Sequence, residues 1–254
     1  MEFKTWDDYS AFARCVTRSS RYVRSADNRT FLDLVLEGCK NRLVETPEKT
    51  NFWRAQIGND WRPEVVREED GTEIERFEIA CPFEPERMKP KADRAFEGRI
   101  NPKGIPCLYL CTDRDTSMAE TRPWIGSQIT VASFVTTRPL RLVDCGGPSQ
   151  WLMFSPSEMD SLAAADKEKC VWGAINDAFS SPVGRNDDLA EYAPTQVLAE
   201  EFRHAGFDGV QYRSMVGTGK NVALFRLEDA DPVECYLCRV EEMIFKFYKG
   251  IDFF

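Results

Sequence analysis

The sequence predicts an α+β fold. Six short apolar runs of strand length lie between residues 51 and 225, and the helix signals among them follow no repeating strand–helix–strand order. Of the 254 residues, 43% are hydrophobic and 12% aromatic, which is enough material for a sizeable core. At this length one large domain with a small appendage is expected.

The appendage is assigned to residues 1–47. Thr5 and Asp8 have the spacing of a capping box with Asp in place of Glu, and Trp6, Tyr9, Phe12, Ala13 and Val16 recur at helical intervals. A second helix is predicted from about 28 to 44, with Phe31, Leu32, Val35, Leu36 and Leu43 on its apolar face. A turn-rich stretch at 45–50 closes the appendage, and residues 48–254 form the main domain. Its first strand is residues 51–57, which alternate. Residues 60–97 carry many charges and four prolines without a sustained period, and are predicted to be a long irregular excursion. Strands follow at 107–111, 130–135, 140–143, 209–212 and 221–225. Helices are expected at 115–120, which has helix-start chemistry, and at 194–205, which has helical apolar spacing. A third is expected to begin at Ser155-Pro156-Ser157-Glu158, which supplies a cap, a first-turn proline and a capping-box glutamate.

Lys and Arg number 33 against 42 Asp and Glu, a net charge of −9. Duplex-binding surfaces gain affinity by neutralising phosphates, so this balance disfavours nucleic acid as a partner. No apolar run approaches the ~18 residues of a membrane span, and the polar start MEFKTWDDYS has no signal-peptide core, so a cytoplasmic protein with no membrane partner is expected. The single histidine, His204, excludes a multi-histidine metal site. Nine scattered cysteines read as small core hydrophobes in a reducing compartment. Cys235-Tyr236-Leu237-Cys238 has zinc-ligand spacing, but there is no second such pair, so no metal is expected.

Residues 87–103 carry Arg87, Lys89, Lys91, Arg94, Arg99 and Lys103 against Asp93 and Glu97, a local balance of +4 in an acidic chain. Gly98 and Gly104 flank the Arg99 segment, so backbone can approach a ligand closely while Arg99 offers a fork of donors to a phosphate. A solvated basic loop explains the same charges. Further on, Glu120 follows an apolar strand by about one helical stretch and can project into a cleft. Residues 207–225 read as strand, glycine-rich turn and strand. The Gly217-Thr218-Gly219-Lys220 sequence lacks P-loop spacing and a following helix, and is discounted as a phosphate loop.

Several of these segments, in order, resemble one family. They are Trp53-Arg54, then Gly98-Arg99-Ile100-Asn101 with Gly104 and Tyr109, then Thr116-Ser117-Met118-Ala119-Glu120. Tyr192-Ala193-Pro194-Thr195-Gln196, Gly209-Val210-Gln211-Tyr212-Arg213-Ser214 and Asn221-Val222-Ala223-Leu224-Phe225 complete the series. Together they resemble a RES domain, named for its Arg, Glu and Ser, over about residues 50–230. The resemblance implies a mixed-sheet core related to ADP-ribosyltransferases. It also implies a toxin of a toxin–antitoxin or defence system that destroys NAD⁺ by phosphorolysis or hydrolysis, some members transferring ADP-ribose to protein. Glu120, Arg54 and Ser214 are then the implied catalytic residues, and Arg99 and Tyr109 the substrate-binding ones. Asn221 and Gln196 are further candidates that can equally be satisfying backbone groups around the pocket. NAD⁺ is the substrate rather than a cofactor, inorganic phosphate a co-substrate, and an antitoxin covering the pocket the implied partner.

The residue types suit that chemistry. Breaking the nicotinamide–ribose bond builds positive charge on the sugar, which a preorganised carboxylate such as Glu120 stabilises while holding a ribose hydroxyl. Arg54 and Arg99 can hold the diphosphate, or one of them an attacking phosphate. Tyr109 can stack on nicotinamide or adenine, and Ser214 can position the nicotinamide ribose or amide. The leaving group is a cationic pyridinium that departs neutral, so no general acid is needed. Two other classes remain open: an inert nucleotide-sensing module with the N-terminal helices as its working part, and a Cys- or Ser-based hydrolase acting through His204. Restraint of an NAD⁺-destroying enzyme requires an antitoxin or self-inhibition by residues 1–47.

Overall fold

A computed structural model describes residues 2–91, 93–147, 161–181 and 189–244. The chain opens with α1 (Asp8–Arg18) and α2 (Ala26–Gly38), followed by β1 (Leu43–Thr46), β2 (Asn51–Ile57), β3 (Asp60–Arg67), β4 (Glu73–Cys81) and β5 (Leu108–Cys111). Next come α3 (Arg114–Glu120), β6 (Gln128–Thr136), β7 (Leu140–Asp144), α4 (Ala164–Ser180) and α5 (Ala193–His204). The hairpin β8 (Gly209–Arg213) and β9 (Lys220–Leu224) and the long strand β10 (Ala230–Arg239) complete the described elements. The architecture is α+β, as expected.

Eight strands form one mixed sheet in the order β1-β7-β8-β9-β5-β2-β6-β10. Only β7 and β8 pair in parallel; the remaining neighbours are antiparallel. Alternation along the strands sends Val143, Val210, Ala223 and Phe225 to one apolar layer and Leu142, Val222 and Leu224 to the other. The first layer is closed by α1, α2, α4 and α5, with Phe12, Val35, Trp172, Ile175 and Phe202 almost wholly buried in it. The second is closed by Phe83 and Met88 together with Phe52, Leu108, Leu110 and Phe134.

Residues 1–47 differ from the expected appendage. Phe3, Tyr9, Phe12, Val16, Phe31, Leu32, Leu34, Val35 and Cys39 lie in the same buried layer as the residues of α4 and α5. The helix predicted at 28–44 ends at Gly38, and Leu43–Thr46 instead pair with β7, Val44 standing opposite Leu142. Leu43 fitted a helical stripe in the sequence, but the free edge of β7 offers these residues backbone partners that a helix would leave unused. At the start of α1, Asp8 accepts from the Thr5 backbone N–H at 3.2 Å, so the carboxylate half of the capping box is present.

The irregular excursion at 60–97 is also corrected. Its first part is the two-stranded hairpin β3–β4, paired from Asp60↔Cys81 to Arg67↔Glu73. Most of its side chains are exposed on both faces, so no core side imposed the alternation by which a strand is read from sequence. β10 and α4 lack a one-sided pattern for a related reason: β10 is an edge strand of mixed burial, and α4 is buried on every side through Cys170–Asn176. The helix start at 155–158 lies outside the described residues.

Candidate active site

The two halves of the sheet meet at β2 and β5, and there the pairing nearly fails. β2 is fully registered with β6 and β5 with β9, yet β2 and β5 share one registered pair, Trp53 with Cys111. The strands splay beyond it, which frees backbone groups and opens a slot. The Arg54 guanidinium fills that slot, its Nη1 donating to the Tyr109 carbonyl at 2.8 Å. Arg54 Nε is buried and has no protein partner, and burial pulls the guanidinium pKa down from its ordinary value.

Two cavities open from this seam, and Arg54 and Tyr109 line both. The first, of about 310 Å³, is also lined by Trp53, Cys111, Glu120, Tyr212 and Asn221. Glu120 is the last residue of α3, a short helix capped by the Asp113 side chain accepting from Thr116 N–H at 2.8 Å. Glu120 Oε1 accepts from Ser214 Oγ at 2.8 Å and from Asn221 Nδ2 at 2.7 Å. Ser214 is buried where β8 ends, and its Oγ also accepts from Val216 N–H at 3.2 Å and Gly217 N–H at 3.0 Å. Gly217 lies so close to Thr116 that a side chain there would strike its backbone, and Gly219 N–H donates to Thr116 Oγ1 at 2.9 Å. The Gly217–Gly219 stretch therefore seats the β8–β9 turn on α3.

The second cavity, of about 510 Å³, is lined by Lys91, Arg94, Phe96 and Asn101. Its boundary with the first is the Tyr109 ring, fixed by its hydroxyl donating to Asn101 Oδ1 at 2.7 Å and accepting from Ile100 N–H at 3.0 Å. Gln196 in α5 stitches the same loop down, its Nε2 donating to Gly98 O at 2.8 Å, Glu97 Oε1 at 3.1 Å and Asn101 O at 3.2 Å. The Gln196 amide NH₂ is thus occupied by loop groups, the backbone-satisfying alternative of its two readings.

The structure brings Arg54, Tyr109, Glu120, Ser214 and Asn221 together. Arg99 departs from expectation. It lines neither cavity, and its guanidinium donates to Ala178 O at 2.8 Å in the last turn of α4 and lies 5.8 Å from the Tyr192 ring. A helix C-terminus presents unpaired carbonyls that draw a cation, and this outweighs the open loop in which the sequence placed it. The +4 window disperses likewise: Arg87 pairs with Asp60 at 3.3 Å, Lys89 with Asp231 at 2.6 Å and Arg94 with its neighbour Asp93 at 3.7 Å, while Lys91 and Arg94 line the second cavity together with Glu97. Trp53, Cys111 and Tyr212 enter the site without having been singled out for it. Their signal is positional: Trp53 adjoins Arg54, and Cys111 and Tyr212 lie two positions from Tyr109 and Ser214.

His204 is exposed in the last turn of α5 and lines neither cavity. Cys235 and Cys238, three apart on β10, project to opposite faces of the sheet. Among the described residues no group of His, Cys, Asp and Glu side chains is placed to hold a metal ion, and no helix is long and apolar enough to cross a membrane.

A carboxylate fixed by two neutral donors and a buried arginine line one cavity, and a pocket carrying Lys91 and Arg94 adjoins it: this is an α+β protein with a polar cleft suited to an anionic ligand. The chain belongs to the RES domain family, whose model matches residues 79–243. That match starts within β4, so Arg54 lies outside it. The crystal structure of the M. tuberculosis MbcT–MbcA toxin–antitoxin complex is similar at 14% identity and a TM-score of 0.36, over 81% of this chain and 92% of its own. No curated protein matches the chain.

Proposed function

We propose that this protein cleaves the nicotinamide–ribose bond of NAD⁺ and acts as the toxin of a toxin–antitoxin or defence pair. One observation carries the reading: Glu120 is held by Ser214 and Asn221 in a cleft that the Arg54 side chain also lines. Bond cleavage places positive charge on the ribose, and a carboxylate already oriented needs no reorganisation to stabilise it. Two of its lone pairs are taken, and the remaining ones are free to accept from a ribose hydroxyl. The nicotinamide leaves as a neutral base, so no proton donor is required. Arg54, with Lys91 and Arg94 in the adjoining cavity, suits the diphosphate of the substrate or an attacking inorganic phosphate.

Phosphorolysis, hydrolysis and transfer to a protein share this bond-breaking step and differ in the acceptor. Incubating the purified protein with NAD⁺, with and without phosphate, and weighing the products distinguishes them. ADP-ribose-1″-phosphate marks phosphorolysis, ADP-ribose marks hydrolysis, and a labelled protein band marks transfer. Binding of NAD⁺ without release of nicotinamide would instead indicate the inert sensing module. An enzyme that destroys NAD⁺ endangers its own cell, so an antitoxin that covers the cleft is part of the proposal.

A further inference from the structure

Cys111 and Asn221 stand directly opposite one another on β5 and β9, so their side chains are neighbours on one face. The Cys111 thiol donates to Asn221 Oδ1 at 3.2 Å, and Asn221 Nδ2 donates to Glu120 Oε1 at 2.7 Å. The direction of this chain is forced. An ionised Glu120 only accepts, so Asn221 must turn its NH₂ toward the carboxylate, and its Oδ1 is then left facing Cys111. That oxygen needs a donor, and the thiol is the one the structure places there.

We propose that Cys111 is a positioning residue, which through Asn221 fixes the Glu120 carboxylate in the orientation that bond cleavage needs. This rests on the reading of Glu120 as the group that stabilises the ribose cation. The thiol suits the task because it stays protonated: burial, with Glu120 and Asp113 nearby, pushes its pKa up to about 12. Cys111 is also the residue paired with Trp53 at the seam, so the device sits where the two half-sheets meet and where its geometry is tied to both. Without the S–H donor Oδ1 is left without this partner, and the amide, held at its Nδ2 end by Glu120 alone, is free to swing and to carry the carboxylate out of its orientation.

The test uses the full-length protein and the variants Cys111→Ala, Cys111→Ser, Asn221→Ala and Cys111→Ala/Asn221→Ala. The first readout needs no turnover: the side-chain NH₂ resonances of Asn221 in ¹⁵N–¹H spectra of the free protein. They are expected to shift or broaden in Cys111→Ala and to keep their wild-type positions in Cys111→Ser. The second is nicotinamide release. Cys111→Ala is expected to lower kcat about three- to tenfold, the scale of one lost hydrogen bond, with KM near the wild-type value. Cys111→Ser is expected to restore kcat, and Cys111→Ala to cost nothing further once Asn221 is Ala. An Asn221 amide undisturbed in Cys111→Ala, or an equal cost of that substitution with and without Asn221, overturns the proposal. A wild-type protein that releases no nicotinamide sinks the reading of Glu120 instead, and the amide spectra still decide whether Cys111 orients Asn221.

Discussion

Ser214 donates its hydroxyl proton to Glu120 Oε1 over 2.8 Å, across 94 positions of chain. Ser214 Oγ itself accepts from the backbone N–H groups of Val216 and Gly217, so it couples the β8–β9 turn to the end of α3. Ser214→Ala leaves those N–H groups without this acceptor and Glu120 without one donor. A stability loss of about 1–3 kcal/mol is expected in urea unfolding. Nicotinamide release is expected to fall about tenfold, the worth of one hydrogen bond to a charged group.

Glu120→Gln separates charge from shape. The amide keeps an oxygen for Ser214 and Asn221 but loses the negative charge facing the sugar. The rate of nicotinamide release is expected to drop on the order of a hundredfold or more. Glu120 is exposed, so the thermal midpoint should stay near that of the wild type. Release at the wild-type rate would remove Glu120 from the mechanism.

Arg54→Lys retains charge and removes the planar fork. A lysine can reach either the Tyr109 carbonyl or a ligand anion, whereas the guanidinium serves the carbonyl with Nη1 and keeps a second terminal nitrogen for an anion. The expected outcome is a kcat/KM at least about tenfold lower, the effect of one lost charged contact. Titration of NAD⁺ binding by calorimetry should show the loss as weaker affinity, and unchanged affinity would count against Arg54 as a ligand contact.

Deletion of residues 1–47 is expected to abolish the folded protein rather than release an inhibited enzyme. It strips β1 from the edge of β7 and removes Phe12, Val16, Phe31 and Val35 from the helical layer. Each such side chain is worth about 1.5–3 kcal/mol of burial, so the loss of these four alone is comparable to the whole stability of an ordinary domain. Circular dichroism and a thermal melt of the truncated chain check this. A cooperative melt with full activity would show the helices to be dispensable.

Stability is expected to fall as pH rises above about 9. Burial pushes Cys39 and Cys111 up to about 12 and Cys107 up to about 11, from an ordinary thiol value of 9.0. The folded state then holds protons that the unfolded chain gives up. The stabilisation from these neutral thiols is complete below pH 9 and lost progressively between pH 9 and about 12. Urea titrations at pH 8, 9 and 10 should show a decreasing unfolding free energy. An Ellman assay at pH 8 should find these three thiols unreactive until the chain is denatured.

Strands that lie inside the sheet were legible in the sequence. The runs at 51–57, 107–111 and 140–143 coincide with β2, β5 and β7 to within one residue at each end, because burial imposes a pattern that a reader can find. The β3–β4 hairpin carries no such imprint, since water meets Trp61, Ile74 and Phe77 as freely as the charges around them. Arg54, Tyr109, Glu120, Ser214 and Asn221 were found through the resemblance to a family. The contact between Glu120 and Ser214 depends on a sheet order that no local spacing encodes. Arg99 shows the converse: its glycine-flanked, basic surroundings suggested a ligand site, while the carbonyl that holds it belongs to a helix nearly eighty residues further on, at Ala178.

The incomplete seam between β2 and β5 sets stability and activity against each other. Strands that ran in register past Trp53 and Cys111 would gain backbone hydrogen bonds, each worth about 0.5–1.5 kcal/mol. The same closure would expel Arg54 from its slot and merge the walls of both cavities. Selection for a sturdier molecule and selection for a working cleft therefore pull this pair of strands in opposite directions. Variants enriched for heat resistance should accumulate their substitutions in the helical layer, and those that tighten the seam should be the ones that cannot turn over substrate.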